Sequence, residues 1–182
     1  KYRTVVKMAS TRCRRSSPIL AFAVGLLLPL LLLVSATTAQ TTFNPSTYDH
    51  TFTLAAAGNL KFHWKIDKTA NEIHLAIQAH TSGWIGFGLA EPSSGSMPGS
   101  DMMVAKVINN QLVVTDHYAT SYLAPEQDCN NVSDWKAVRS FQGADATNGG
   151  EILTTVEVTR ALQAVDTYND RSILDDGIPH RL

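Results

Sequence analysis

Gly83-Trp84-Ile85-Gly86-Phe87-Gly88-Leu89, followed after a short loop by Ser96-Met97-Pro98-Gly99-Ser100-Asp101-Met102-Met103-Val104, decides the reading of this chain. It has the form of a strand ending in glycines, a small-residue loop, an aspartate and a second apolar strand. In an extended strand Trp84, Gly86 and Gly88 share one face, and Ile85, Phe87 and Leu89 share the other. Glycines along one face leave a hollow that a ligand or another backbone can approach, or that a neighbouring aromatic fills. Trp84, Gly86 and Gly88 are therefore a candidate ligand surface, and it contains no catalytic group.

Period-two alternation continues on both sides. Leu60, Phe62, Trp64 and Ile66 alternate with Lys61, His63 and Lys65, and Ile73, Leu75, Ile77 and Ala79 with His74, Ala76 and Gln78. Turn residues at Asp67 to Asn71 separate the two runs as a hairpin connection. Further strands are expected at 48–54, 84–89, 102–108, 111–118, 135–141 and 151–158, with Asn109-Asn110 as a tight turn. Residues 159–165 form one short helical candidate. Short strands with regular turns predict an all-β fold, an antiparallel β-sandwich of immunoglobulin-like architecture.

The first 39 residues read as leader and secretory signal. Arg12, Arg14 and Arg15 precede an apolar run from Ile19 to Val34, with small residues around Val34-Ser35-Ala36 and Thr37-Thr38-Ala39, and Met8 is the expected start. That run is shorter than the about 20 residues of a membrane span. Six of the 15 basic residues lie in this segment and none of the 16 acidic ones does, so the remainder is strongly acidic. Nucleic acid needs a basic footprint and is excluded as a partner. The secretory pathway, extracellular or lumenal, is the expected location. Cys129 is the one cysteine outside the signal, consistent with an external partner or a buried thiol. Asn131-Val132-Ser133 is a glycosylation sequon.

The segment from Tyr48 to His180 resembles DOMON domains. The resemblance rests on Gly83 to Gly88, Met97, Ser100 to Val104, Glu126-Gln127-Asp128, Thr159-Arg160-Ala161-Leu162, Asp166, Asp170, Ile173 and Asp176-Gly177. It implies a β-sandwich module over 44–182, cut short at its C-terminal side. It also implies a ligand-binding module, non-catalytic by itself, in a larger extracellular or membrane-tethered redox protein. Some members bind haem b through one Met and one His; Met97 and His180 are the residues here that match or come nearest. Others precede the copper domains of type II, ascorbate-dependent monooxygenases and hold a structural cation. Asp101 and the carbonyl of Met102 correspond to such a site, and Asp116, near a strand boundary of the same predicted hairpin, is a further candidate carboxylate for a hard cation. A third group is carbohydrate-binding or adhesive. Expected partners are thus haem or sugar, with a copper domain or a transmembrane cytochrome downstream. Val165 departs from the copper-monooxygenase pattern, which often has cysteine there.

From the residues alone, the six histidines have no zinc or copper spacing. His63 and His74 are expected to face solvent, and Trp64, Trp84 and Trp135 to pack in the core. No nucleophile elbow or phosphate-binding glycine loop is present.

Overall fold

The computed structural model describes residues 42–54, 60–128, 133–164 and 169–174. The signal segment, Cys129, Asn131, Val165, Asp166, Asp176-Gly177 and His180 lie outside the described residues. Nine strands follow in order: β1 (His50–Leu54), β2 (Leu60–Asp67), β3 (Glu72–His80), β4 (Trp84–Leu89), β5 (Asp101–Ile108), β6 (Gln111–Tyr118), β7 (Glu126–Gln127), β8 (Trp135–Asp145) and β9 (Glu151–Ala161). They form two antiparallel sheets, β1-β2-β3-β9-β8 and β4-β5-β6-β7, packed as a sandwich.

Turn chemistry fixes the hairpins. Asn109 and Asn110 both have positive φ, 51° and 61°, as a two-residue turn with right-handed strand twist requires. Asp67 Oδ1 accepts from the amides of Thr69 and Ala70, both at 2.9 Å, and closes the β2–β3 turn. A bulge at Val138 shifts the β8–β9 register between Ala137 and Arg139.

Alternation then builds the interior. Leu75 and Ile77, Ile85, Phe87 and Leu89, Met103 and Ala105, Trp135, Val156 and Val158 form the buried cluster. Phe87 links the sheets, 6.0 Å from the Phe62 ring and edge-on to Trp135 at 5.7 Å. Burying each such side chain contributes about 1.5–3 kcal/mol.

Three expectations from the sequence are corrected. The helical candidate at 159–165 begins inside a strand, because β9 extends to Ala161. Pairing with β3 and β8 on both sides outweighs its local propensity. Trp84 is not a core residue: it is 67% exposed, on the outer face of the four-stranded sheet. His63 is buried rather than facing solvent. It does point outward from β2, but that outer face is itself covered. Phe43 packs on the His63 ring at 5.3 Å, and Tyr48 lies at 6.1 Å. The segment ahead of β1 thus forms a clasp over the five-stranded sheet. Beneath it His63 bonds Thr51 and Gln78 at 2.9 and 3.1 Å. Glu157 accepts from the Tyr48 hydroxyl at 2.9 Å and from Arg139 Nε at 2.8 Å.

Candidate functional site

One end of the sandwich interior is charged. β5 opens with Asp101 on the inner face, and β6 places Asp116 opposite Met103 on that same face. Asp134 precedes β8, β9 contributes Arg160 in register with Trp135, and the segment 169–174 brings in Asp170. All five charged side chains are buried.

Arg160 is the hub. Its Nη1 lies 2.8 Å from Asp101 Oδ2 and its Nη2 lies 3.0 Å from Asp134 Oδ2. Nη2 also donates to the Arg171 carbonyl at 2.7 Å, and the guanidinium stacks 5.1 Å from the Trp135 ring centre. The side chain of Arg171 donates to the Gly99 carbonyl. Its backbone N–H does reach Asp101 Oδ2 at 2.8 Å.

Four buried carboxylates thus gather at this end, two of them paired with one guanidinium. Burial pushes the Asp101 carboxyl above its usual range, against the opposing pull of Arg160. Asp116 is raised to about 6, chiefly by burial, although the Asp134 amide donates to it at 2.8 Å. Asp101 Oδ1 is buried and accepts no hydrogen bond from the described residues.

Asp101, Asp116 and Asp170 each offer an oxygen, and the three oxygens lie within 4.8 Å of one another. Two oxygens bound to one calcium at 2.3–2.6 Å stand at most about 5 Å apart. The trio therefore has the span of a shared hard-cation site. Among the described residues no other group of three or more His, Cys, Asp or Glu is gathered this way.

Sequence reasoning found Asp101 and Asp116, named Arg160 and Asp170 only as motif residues without a site role, and missed Asp134. A usable signal was there: Val156, Val158 and Arg160 form one inner-facing set, so the arginine had to bring buried acids with it. Met102, the third residue of the expected cation set, turns its side chain to the outer face. Its Cγ lies 3.0 Å from where a Cβ on Gly88 would stand. Any contribution it makes to the cluster is through its backbone carbonyl.

The expected ligand surface is present but not hollow. Trp84 folds its ring over Gly86, 3.0 Å from where a Cβ would stand, as Met102 covers Gly88. The glycines thus admit neighbouring side chains, and the exposed Trp84 ring is the accessible part of this face.

Met97 sits half-buried on the loop between β4 and β5. Its carbonyl accepts from Ser100 N at 3.0 Å, Ser100 Oγ donates to the Ser96 carbonyl at 2.9 Å, and Ser96 Oγ meets the Tyr122 hydroxyl at 2.7 Å. Gly99, at φ +83°, donates to the Ala119 carbonyl. Met97 is therefore held at the same end of the sandwich as the acidic cluster. Its candidate partner His180 lies outside the described residues.

The DOMON domain family model matches residues 56–179. Among solved structures the chain is similar to the cytochrome domain of Myriococcum thermophilum cellobiose dehydrogenase, at 17% identity and a TM-score of 0.48. That match covers 67% of this chain and 60% of that one. It is also similar to the cytochrome b domain of pyranose dehydrogenase from Coprinopsis cinerea, at 16% identity and a TM-score of 0.43, covering 68% of this chain and 60% of the other. The chain thus spans about three fifths of the length of either structure. With more than half of its residues matched by the family model, the chain belongs to the DOMON domain family.

Proposed function

We propose that this chain is the ligand-binding module of a larger secretory-pathway redox protein, is non-catalytic by itself, and holds a hard divalent cation of calcium type at its charged end. Asp101, Asp116 and Asp170 supply the carboxylate oxygens, and the Met102 carbonyl is the backbone oxygen that the family resemblance adds. The carrying observation is the convergence of those three carboxylates around the unbonded, buried Asp101 Oδ1. A cation there offsets the cost of burying the Asp101 and Asp116 carboxylates, both of which burial raises. The reading suits an accessory domain ahead of copper monooxygenase domains, in which the metal orders the fold and takes no part in chemistry.

The test is thermal unfolding and titration calorimetry of the chain with CaCl2 after chelation. A ligand that binds only the folded state at a hundred times its Kd stabilises by about 2.7 kcal/mol. The expected result is a rise in Tm with calcium that Asp170→Asn abolishes. No binding heat and no shift with calcium, magnesium or manganese would sink the reading.

A second reading is haem b, favoured by the half-buried thioether of Met97 on its clamped loop. Met97 and, by sequence, His180 would hold the haem, which would supply one-electron transfer. Purified with haem available, the chain is then expected to show a Soret band that Met97→Ala removes, and a colourless folded protein would refute it. The exposed ring of Trp84 favours a sugar ligand instead, to be read as glycan retention lost in Trp84→Ala.

A further inference from the structure

Asp101 stands at a junction. Its backbone is fixed in the sheet between Leu89 of β4 and Tyr118 of β6, so its carboxylate is the part that can turn. Oδ2 is taken: Arg160 Nη1 lies 2.8 Å from it, and the Arg171 N–H donates to it at 2.8 Å. Oδ1 accepts no hydrogen bond from the described residues. Arg171 is also held from its other side, because its carbonyl accepts from Arg160 Nη2 at 2.7 Å. The backbone of this one residue is thus clipped to the charged end at two points.

Its side chain reaches the opposite way. Nε and Nη2 of Arg171 both donate to the Gly99 carbonyl, Nε at 2.9 Å. Gly99 has φ +83°, a conformation that residues with a Cβ rarely adopt, and its N–H donates to the Ala119 carbonyl at 2.6 Å. A Cβ on it would stand 3.2 Å from Glu91 Cγ and 3.5 Å from Arg171 Nη2. Gly99 is therefore the point at which the β4–β5 loop is pinned. The next hydrogen bond, from the Ser100 N–H to the Met97 carbonyl at 3.0 Å, closes the turn that carries Met97. Asp101 and the Met97 turn are thereby joined through a residue 70 positions further along the chain.

We propose that Arg171 is a positioning residue that carries the state of the Asp101 carboxylate to Met97. Under the calcium-type reading given above, on which this part rests, a cation bound through Oδ1 tightens the Met97 turn. It stops the carboxylate from turning and so keeps Oδ2 on the Arg171 N–H. Arg171 then stays aligned, and its planar guanidinium keeps two donors on one carbonyl, a grip that the point charge of a lysine does not reproduce. Partners of a metal ligand orient it and are oriented by it in the same way. The half-buried thioether of Met97 is held in one place as a result. The effect is reciprocal, so a ligand that fixes Met97 strengthens cation binding by the same factor.

The test follows the Met97 methyl signal and the exchange of the Ser100 amide by NMR while CaCl2 is added to the chelated full chain. Calcium is expected to shift the methyl signal and to slow Ser100 exchange by about tenfold or more, as local opening becomes rarer. Arg171→Gln keeps the backbone contacts to Asp101 and Arg160. Calorimetry should therefore show calcium bound no more weakly by this variant, while both responses of the Met97 turn disappear. Responses that persist in Arg171→Gln would overturn the proposal, and so would calcium binding to the unmutated chain with Met97 and Ser100 unmoved. If no binding heat appears, the cation reading fails by itself, and the link through Arg171 is decided in chelator. There Asp101→Asn and Arg171→Gln should each speed Ser100 exchange, and the double variant should exchange no faster than the faster of the two. Effects that multiply in the double variant would show two independent contacts and overturn the link.

Discussion

The clasp over the five-stranded sheet and the charged end of the interior both bury ionised groups, yet they balance them differently. Under the clasp a single carboxylate, Glu157, meets a guanidinium and a tyrosine hydroxyl, and the neighbouring His63, Gln78 and Thr155 complete a chain of hydrogen bonds. Its polar groups answer one another within the protein. At the charged end Asp101 and Asp134 meet Arg160, Asp116 and Asp170 gather beside Asp101, and one oxygen of Asp101 has no hydrogen bond from the described residues. A buried polar cluster that closes on itself is a structural device. One that leaves negative charge over has room for something from outside.

The largest effect is expected from Arg160→Met, which strips Asp101 and Asp134 of the cation they share. Removing one partner of a buried ion pair costs about 3–5 kcal/mol, so the variant should unfold at much lower urea in chelator. Calcium should recover part of that loss if the cluster binds it; recovery equal to that of the unmutated chain would separate Arg160 from the site. Next comes Glu157→Ala under the clasp, expected to cost about 1–3 kcal/mol for the lost hydrogen bonds. Calcium should leave this variant's deficit unchanged, and a calcium-dependent deficit would break the contrast between the two regions.

Tyr48→Phe is expected to cost about 1 kcal/mol at neutral pH, with a clearer signature in alkali. Burial, then the hydrogen bond to Glu157, raises the phenol above its ordinary 10. The contribution of that protonated phenol is complete below pH 10 and lost as pH rises beyond it. The unmutated chain should therefore lose stability above pH 10 more steeply than Tyr48→Phe, as followed by circular dichroism. The smallest effect concerns Asp145, held at about 2 by the Thr147 hydroxyl first and His80 second. What it adds to stability is present above pH 4 and fades as pH falls towards 2. In Thr147→Val its carboxyl carbon should titrate at higher pH by NMR, with little change in Tm.

Much of the fold was legible because alternation is a local property. Leu75 and Ile77, or Ile85, Phe87 and Leu89, declare a buried face without reference to any other strand. Asn109-Asn110 likewise announces its turn, since few other residues accept two successive positive φ angles. What failed depended on distant neighbours. His63 alternates as a solvent-facing residue should, and only the return of Phe43 and Tyr48 over that face buries it. Trp84 has the composition of a core residue, yet it lies on the face that no layer covers. Residues 159–161 join β9 because β3 and β8 flank them.

The candidate site divides in the same way. Asp101 and Asp116 were visible as acids at one end of a hairpin, where register alone makes them neighbours. Asp134 and Asp170 reach them from separate segments, and no spacing in the chain encodes that meeting. The amino-acid sequence by itself determined a β-sandwich and its main hairpins, because side-chain alternation and turn chemistry act over a few residues, and its motif residues marked the family. Only the tertiary structure decided that four acids gather beside one arginine and that Phe43 and Tyr48 cover His63, because both depend on segments far apart in the chain.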